Sequence, residues 1–319
     1  MSQTNRMPTR QGVLDAAEKV AALLPPTPLL PIRINGTPCW IKCENLQPIG
    51  AFKIRGAWHR LTALTQEERK NGVVAVSSGN HAQGVAWAAR ELGVDARVVM
   101  PHDAPQVKLD ATRAFGAEVV IYRRPEEDRD GVAAQIIEQT GGVLVHAFGD
   151  PWVIEGQGSM GIEITAQLGC EPSRIAAPCG GGGLVAGLSL ACPSSAIVPV
   201  EPAGWDMVGQ SLAAGEIVTA GPNPPKTICD ALQPLATKQI NLDVLQSRSD
   251  PGVAVTDDEV RAAVRFAFSQ LHLVVEPGGA AALAAALAGK VALDESTVIV
   301  LSGGNVDMQG YAGIISGKS

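Results

Sequence analysis

The chain has 319 residues, of which 46% are apolar, and it carries a formal net charge of −7 at pH 7. This length fits one large domain or two modest ones, and the apolar fraction is ample for a core. The acidic balance argues against a nucleic-acid-binding surface, and no apolar stretch is long enough to suggest a membrane span. The polar N-terminus and six cysteines without metal-ligand spacing predict a cytoplasmic protein with reduced thiols.

The first half of the chain alternates between apolar strands and helices. A helix is predicted over 13–24, two strands over 29–34 and 39–43 flank the turn Asn35-Gly36, and another helix starts at Lys53. Three strand–helix pairs follow: 73–76 with 82–92, 94–100 with 105–115, and 118–122 with 130–140. Such βαβ units form a parallel sheet. We therefore expect a small α/β domain, residues 72–148, inserted into a large domain made of residues 1–71 and 149–319.

The second half resumes this pattern. The predicted elements are a helix over 154–168, a strand over 174–178, a helix over 184–191, a strand over 196–201, helices over 257–271 and 278–288, and a last strand over 297–301. Residues 203–250 are rich in glycine and proline and are predicted to be irregular. The fold class is therefore α/β, with helices flanking two open twisted sheets.

One glycine pattern invites a wrong interpretation. Gly156-Gln-Gly-Ser-Met-Gly161 matches the dinucleotide fingerprint G-x-G-x-x-G, which requires a buried strand before it. Here the preceding residues predict the start of a helix, so we expect no dinucleotide site.

Lys53 and the run Gly180 to Gly183 are the two candidate functional features of the sequence. Four glycines between an apolar strand and a helix leave backbone N–H groups uncovered, which favours a phosphate-binding loop. Lys53 lies between Phe52 and Ile54, so partial desolvation would lower its pKa and make its amine a nucleophile or a base. The alternatives are a flexible linker for the loop and an ordinary surface lysine.

Four motifs in this order resemble one family. They are Ala51-Phe-Lys-Ile-Arg-Gly-Ala57, Ser77-Ser-Gly-Asn-His81, Gly180 to Leu184, and Leu301-Ser-Gly-Gly-Asn-Val-Asp307. The chain resembles the fold-type II pyridoxal-phosphate (PLP) enzymes, in the serine/threonine dehydratase and serine racemase branch. The resemblance covers residues from about 27 to 307. It implies a small domain inserted into a large one, with Lys53 as the Schiff-base lysine and the glycine loop as the phosphate site.

The resemblance also assigns cofactor contacts. It implies that Phe52 packs near the cofactor ring, that Asn80 bonds the ring hydroxyl, and that Ser302 bonds the pyridine nitrogen. The full set of cofactor-binding residues is Phe52, Lys53, Asn80, Gly180, Gly181, Gly182, Gly183, Leu184 and Ser302. A hydroxyl cannot hold a charge on the ring nitrogen as a carboxylate would, so the ring becomes a weaker electron sink. Core packing for Phe52 and a turn for Ser302 are the alternatives.

Substrate contacts are implied for Ser78, Asn80, His81 and Arg129. The loop from Ser77 to His81 leads into a helix N-terminus, which suits a carboxylate. Ser78 also aligns with the racemase serine that acts as a base opposite the lysine, although it could be a plain N-cap. Arg129 could equally belong to a solvated charge cluster with its acidic neighbours.

The sequence departs from the family at a metal position. Racemase-like members often carry Glu-Pro-x-x-x-x-Asp, whose carboxylates bind a divalent ion. Here Glu201 keeps the first position, but Met207 occupies the second, and a thioether is a poor ligand for Mg²⁺ or Ca²⁺. Glu201 is thus the single metal-ligand candidate, and we expect no metal dependence.

The resemblance implies a PLP-dependent dehydratase, or ammonia-lyase, acting on a β-hydroxy amino acid such as threonine, serine or phenylserine. The alternatives are a serine-type racemase and a 3-hydroxyaspartate dehydratase. A binding or structural protein without catalysis ranks lowest, because the lysine and the loop are both intact. The expected partners are a small amino-acid substrate and a second copy of the chain in a homodimer.

Overall fold

Strands form two separate sheets in the computed structural model, which describes residues 6–104, 106–124, 126–247 and 249–318. Ten strands occur in these residues: β1 (Leu29–Ile34), β2 (Thr37–Cys43), β3 (Val73–Val76), β4 (Ala96–Pro101), β5 (Glu118–Tyr122), β6 (Val143–Leu144), β7 (Arg174–Pro178), β8 (Ala196–Pro202), β9 (Val253–Val255) and β10 (Thr297–Leu301).

The larger sheet has the order β1-β2-β10-β7-β8-β9 and the smaller one β5-β4-β3-β6. All neighbouring strands are parallel except β1 and β2. That pair is the predicted hairpin, and Asn35 and Gly36 have φ values of 50° and 83°, as a type I′ turn requires. The two-sheet α/β fold is confirmed. The smaller sheet lies wholly within residues 72–148, and the domain boundaries themselves stay a prediction.

Helices flank both sheets. Thirteen α-helices occur in the described residues: α1 (Arg10–Ala21), α2 (Lys53–Thr62), α3 (Gln66–Asn71), α4 (Asn80–Leu92), α5 (Gln106–Ala114), α6 (Arg129–Thr140), α7 (Pro151–Leu168), α8 (Gly183–Ala191), α9 (Met207–Ala214), α10 (Gln239–Leu245), α11 (Asp257–Phe266), α12 (Ala281–Leu287) and α13 (Met308–Ile315). None of the helices within these ranges is long and apolar enough to cross a membrane.

Some elements were not predicted. The stretch 203–250, predicted to be irregular, contains α9 and α10, each of eight residues or fewer. Helices this short show too little periodicity to stand out among surrounding glycines and prolines. Thr256 and Glu259 form a capping box at the start of α11, with both reciprocal hydrogen bonds.

The glycines of the false dinucleotide fingerprint lie inside α7. A Cβ added to Gly156 would come within 2.6 Å of the Gly56 Cα on α2, and one added to Gly158 within 2.6 Å of the Gly187 carbonyl on α8. These glycines therefore allow three helix backbones to approach closely. The helix starts at an Asp150 N-cap followed by Pro151, as the sequence predicted.

A buried ionic network fixes the start of α2. Arg55 donates to both oxygens of Glu44 at 2.8 Å and to Glu163 at 2.9 Å. Arg55 and Glu44 are only 1% and 0% exposed. The arginine lies two residues after Lys53, so this network holds the lysine's helix against the large sheet. Lys42 joins the network through a short contact with Glu163.

Candidate active site

The carboxyl ends of β3, β7 and β10 meet at one cavity of about 260 Å³. Ligands of open α/β sheets bind at this edge, where the chain leaves each strand. Every site residue that the sequence singled out for cofactor or substrate lines this cavity: Phe52, Lys53, Ser78, Asn80, His81, Arg129, Gly180, Gly181, Gly182, Gly183, Leu184 and Ser302. The fold thus gathers four motifs that are widely separated along the chain. Their individual roles stay predictions.

Lys53 is the first residue of α2 and projects into the cavity. Its Nζ donates a hydrogen bond to the Ala147 carbonyl at 2.7 Å and lies 5.1 Å from the centre of the Phe52 ring. Burial lowers the pKa of Lys53 to about 8. A substantial fraction of the amine is then neutral near pH 7 to 8, which suits a nucleophile or a base.

The glycine loop joins β7 to α8. Gly182 is the N-cap of α8 and has φ 92°, a conformation that glycine adopts without steric cost. The first N–H groups of a helix have no partner within it and carry a partial positive charge, so they can bind a phosphate. Thr237 and Asn241 both donate to the Gly181 carbonyl, at 2.9 and 2.7 Å. These two side chains orient the loop, and sequence reasoning missed them both.

Phe148 covers the same glycine loop. A Cβ on Gly181 would lie 2.3 Å from a carbon of the Phe148 ring. The ring packs edge-on against His146, with 4.7 Å between the ring centres. The Phe148 carbonyl accepts from Asn241 at 3.0 Å, which ties this segment to α10. The loop therefore needs glycine at 181 because an aromatic ring occupies the space of a side chain.

Ser302 directly follows β10 and is 5% exposed. Its backbone N–H donates to the Gly279 carbonyl, and its carbonyl accepts from the N–H of Phe52 at 3.0 Å. This second bond fixes Ser302 relative to the residue before Lys53. No hydrogen bond reaches its Oγ from the residues that the structure describes, so the hydroxyl is available to a ligand in the cavity.

His81 is buried and neutral. Its Nε2 lies 2.8 Å from the Val145 carbonyl, and since a carbonyl only accepts, Nε2 carries the proton. Burial and the nearby Lys53 lower the pKa of His81 to about 3. The remaining ring nitrogen, Nδ1, then offers a lone pair and would repel a carboxylate. A carboxylate contact at His81 is therefore limited to its backbone N–H, near the N-terminus of α4.

Asn80 is held from two sides, by Glu276, which the sequence did not single out, and by Asn305, which lies in the last motif but was given no role. Its Nδ2 donates to Oε1 of Glu276 at 2.6 Å, and its Oδ1 accepts from Nδ2 of Asn305 at 2.8 Å. Burial and the nearby Asp230 raise the pKa of Glu276 to about 7. A lone carboxylate after the apolar run Leu273-Val-Val275 was the one available signal in the sequence.

Arg129 lies at the rim of the cavity rather than inside it. Its side chain is 60% exposed and pairs with Asp130 at 3.4 Å. Exposed pairs of this kind contribute little stability and are screened by salt. Across the opening, Lys108 pairs with Asp230, which lines the cavity wall.

Glu201 and Met207, which occupy the family's metal position, do not form a site suited to a hard cation. The two oxygens of Glu201 accept from the N–H groups of Val208 and Gly209, at 2.9 and 2.8 Å, so the carboxyl caps α9. Burial raises the pKa of Glu201 to about 8. Met207 is buried beside it, and the described part of the chain contains no group of three metal-binding side chains.

The same cavity fits pyridoxal phosphate. The side-chain-free loop at the start of α8 can take the phosphate, Lys53 can join the aldehyde carbon, and Asn80 and Ser302 offer polar groups for the ring oxygen and nitrogen. Residues 20–303 match the family model described as "Pyridoxal-phosphate dependent enzyme". The chain belongs to this family, and its two-sheet architecture is that of fold type II.

Similar proteins carry several activities. The L-threo-3-hydroxyaspartate ammonia-lyase of Saccharomyces cerevisiae is 38% identical, over 98% of this chain and 98% of its own. The serine racemase of Schizosaccharomyces pombe is 36% identical, over 99% of this chain and 100% of its own. The solved structure of maize serine racemase has a TM-score of 0.90 at 33% identity, covering 98% of this chain and 98% of that one.

Proposed function

We propose that the protein is a PLP-dependent dehydratase, or ammonia-lyase, that converts a β-hydroxy amino acid to a 2-oxo acid and ammonia. One observation carries this proposal: Lys53, the glycine loop and Ser302 line the same cavity. The cofactor, when bound, supplies an electron sink for the pair left after the α-proton is removed. Relatives named as ammonia-lyases and as serine racemases support this class of chemistry.

Lys53 has two functions in this proposal. Its amine holds the cofactor and later takes the α-proton of the substrate, and a pKa near 8 keeps part of it neutral for that step. The N–H groups at the start of α4 bind the α-carboxylate. The β carbon–oxygen bond then breaks, and the hydroxide leaves as water after taking up the proton that Lys53 received from the α-carbon. Water hydrolyses the released enamine to the 2-oxo acid and ammonia.

Ser302 favours β-elimination over reactions that need a long-lived carbanion, such as transamination. A neutral hydroxyl opposite the ring nitrogen leaves that nitrogen without a compensating negative charge. With Ser302 at that position, a bound cofactor would supply a weaker electron sink, which would favour expulsion of the β-hydroxyl.

The test compares Lys53→Ala with Lys70→Ala, which changes an exposed lysine on α3. We expect Lys53→Ala to lose the visible absorbance of the bound cofactor and the formation of 2-oxo acid, with an unchanged circular dichroism spectrum. Lys70→Ala should keep both. Turnover in purified Lys53→Ala would contradict the assignment.

A racemase is the second candidate, because Ser78 lines the cavity and can serve as a second base. Formation of 2-oxo acid and loss of optical rotation are measured in the same reaction with L-serine. If rotation is lost faster than 2-oxo acid appears, and Ser78→Ala abolishes only that loss, racemisation is the main activity.

We propose that the pocket prefers substrates with neutral β-substituents. The kcat/KM should then be higher for threonine, serine or phenylserine than for 3-hydroxyaspartate. Arg129 is largely exposed and paired with Asp130, while the carboxylate of Asp230 lies on the cavity wall beside the apolar side chains of Phe148 and Leu232. Lys108 is paired with Asp230 as Arg129 is with Asp130, so both of these cations already have a carboxylate partner and neither is free to bind a β-carboxylate. Two relatives are named L-threo-3-hydroxyaspartate ammonia-lyase, which favours the opposite ranking.

A panel of kcat/KM values over these four substrates decides between the rankings. A preference for 3-hydroxyaspartate of more than about tenfold, roughly 1.4 kcal/mol, would refute the neutral pocket. Loss of that preference in Arg129→Ala would then identify the residue that binds the β-carboxylate.

We also propose a cytoplasmic homodimer. Phe268 and Met308 are 45% and 83% exposed, and Phe268 packs edge-on against Tyr311, so an apolar surface is available to a second copy. Sedimentation equilibrium should give twice the chain mass of 33.0 kDa. Cell fractionation tests the compartment.

A further inference from the structure

We propose that Glu276 and Asn305 are positioning residues that together hold the side-chain amide of Asn80 as a hydrogen-bond donor towards the ring oxygen of the cofactor. This inference rests on the proposed function, because it concerns how the chain tunes the cofactor. It adds two supporting residues to the site that sequence reasoning gave no role.

The orientation of the Asn80 side-chain amide follows from one hydrogen bond whose direction is certain. Asn305 Nδ2 donates to the backbone carbonyl of Ile49 at 2.9 Å, and a carbonyl can only accept. The same nitrogen donates to Oδ1 of Asn80 at 2.8 Å. The other side of the Asn80 amide must then be its NH2 group. The amide orientation is therefore set by a chain of bonds that starts at a backbone carbonyl.

Glu276 fixes the plane of that amide. The Asn80 Nδ2 donates to Glu276 Oε1 at 2.6 Å, and this oxygen can accept whether or not the carboxyl carries a proton on its other oxygen. An NH2 group has two hydrogens, and this bond uses one of them. Both Asn80 and Glu276 line the cavity, and within the described residues the second hydrogen has no acceptor. That hydrogen is available to a ring oxygen.

The backbone keeps the Glu276 carboxyl in place. The Glu276 N–H donates to the Gly303 carbonyl at 3.0 Å, and a Cβ on Gly303 would lie 2.4 Å from Glu276 Oε1. Glycine at 303 therefore makes room for the carboxyl directly after Ser302. Ser302, proposed to bond the ring nitrogen, is therefore directly followed by Gly303, which makes room for the carboxyl that positions the donor for the ring oxygen.

A donor at the ring oxygen has a spectroscopic consequence. Hydrogen bonding favours the deprotonated oxygen, and a lysine-bound pyridoxal with deprotonated oxygen absorbs at longer wavelength than one protonated on oxygen. The ratio of the two absorbance bands in the substrate-free holoenzyme thus reports the Asn80 donor. A residue that only stabilises the fold would leave this ratio unchanged.

The experiment measures this ratio in Glu276→Leu, Glu276→Gln and Asn305→Leu holoenzymes. Glu276→Leu removes the acceptor, and we expect the long- to short-wavelength ratio to fall about tenfold, which corresponds to roughly 1.4 kcal/mol. Glu276→Gln retains an acceptor oxygen and should restore most of the ratio. Asn305→Leu acts from the other side of the amide and should also lower it.

Glu155→Leu is the matched control, because it removes an equally buried carboxyl that does not line the cavity. An unchanged ratio in Glu276→Leu would overturn the proposal. If Glu276→Leu does not fold, an unchanged ratio in Asn305→Leu overturns it equally. A wild-type protein without absorbance from lysine-bound cofactor would instead contradict the proposed function, so the two failures are distinguishable.

Discussion

Replacing Gly181 by alanine is expected to destabilise the protein even in the absence of cofactor. The added Cβ would lie between 2.3 and 2.5 Å from three carbons of the Phe148 ring. Non-bonded carbon atoms rest about 3.5–4.0 Å apart, so the ring or the loop must move by more than ~1 Å. The ring cannot retreat freely, because His146 packs edge-on against it with 4.7 Å between ring centres.

The magnitude follows from the cost of overpacking a core, which is typically about 1–3 kcal/mol. With an unfolding entropy of about 2.1 cal/mol/K per residue, a chain of 319 residues loses about 1.5 °C per kcal/mol, so the melting temperature should fall by about 1.5–4.5 °C. Gly180→Ala is the matched control one residue earlier. Its Cβ would lie 3.5 Å from the nearest atoms, which is an ordinary contact. The cofactor-free variant should therefore have the same melting temperature as the wild type.

Calorimetry of the cofactor-free proteins measures this difference directly. A double-mutant cycle with Phe148→Ala provides a second check, because removing the ring should relieve the strain of Ala at 181 and make the double variant less destabilised than the sum of the singles. Equal melting temperatures for the Gly181 and Gly180 variants, or an additive cycle, would refute the argument that Phe148 determines the glycine at 181.

Three further predictions concern the ring nitrogen, the metal position and the buried ionic network. Ser302→Asp should hold a proton on the ring nitrogen and raise transamination products relative to 2-oxo acid, by chromatography; an unchanged ratio would remove Ser302 from that role. Activity should survive EDTA, because both oxygens of Glu201 already accept backbone N–H groups and Met207 supplies no hard ligand; loss that Mg²⁺ or Ca²⁺ restores would contradict this. Glu44→Gln removes one carboxylate from the buried Arg55 and should lower the free energy of unfolding, measured with denaturant, by about 3–5 kcal/mol. A decrease below ~1 kcal/mol would show that the network contributes little to stability.

The fold was predictable where the sequence pattern is strong and local. The Asn35-Gly36 turn, the capping box at Thr256 and the start of α2 at Lys53 all depend on neighbouring residues, and the structure has each of them. The strand β9 was missed because its three residues pair at a sheet edge, where long-range contacts rather than local sequence decide the conformation.

The site was predictable for the motif residues that face the cavity and not for those that support them, of which Asn305 lies in a motif and the others lie elsewhere in the chain. Glu276 contacts Asn80 across 196 residues of sequence, and no pattern links two positions so far apart. Asn241 likewise reaches the glycine loop from α10, in a stretch predicted to be irregular. Position 81 shows a different limit: sequence places the histidine at the cavity, but only the bond to Val145 reveals which nitrogen carries its proton.

The strand order has a consequence for how the chain folds as it is synthesised. All four strands of the smaller sheet come from one continuous segment, so that sheet can form as soon as residue 144 has left the ribosome. In the larger sheet, β10 comes after the other five described strands in the sequence, yet it lies between β2 and β7. Until β10 inserts, the β1-β2 hairpin stands apart from β7 with an open edge. Ser302 follows β10, so the cofactor pocket is completed only after the other nine described strands have been made.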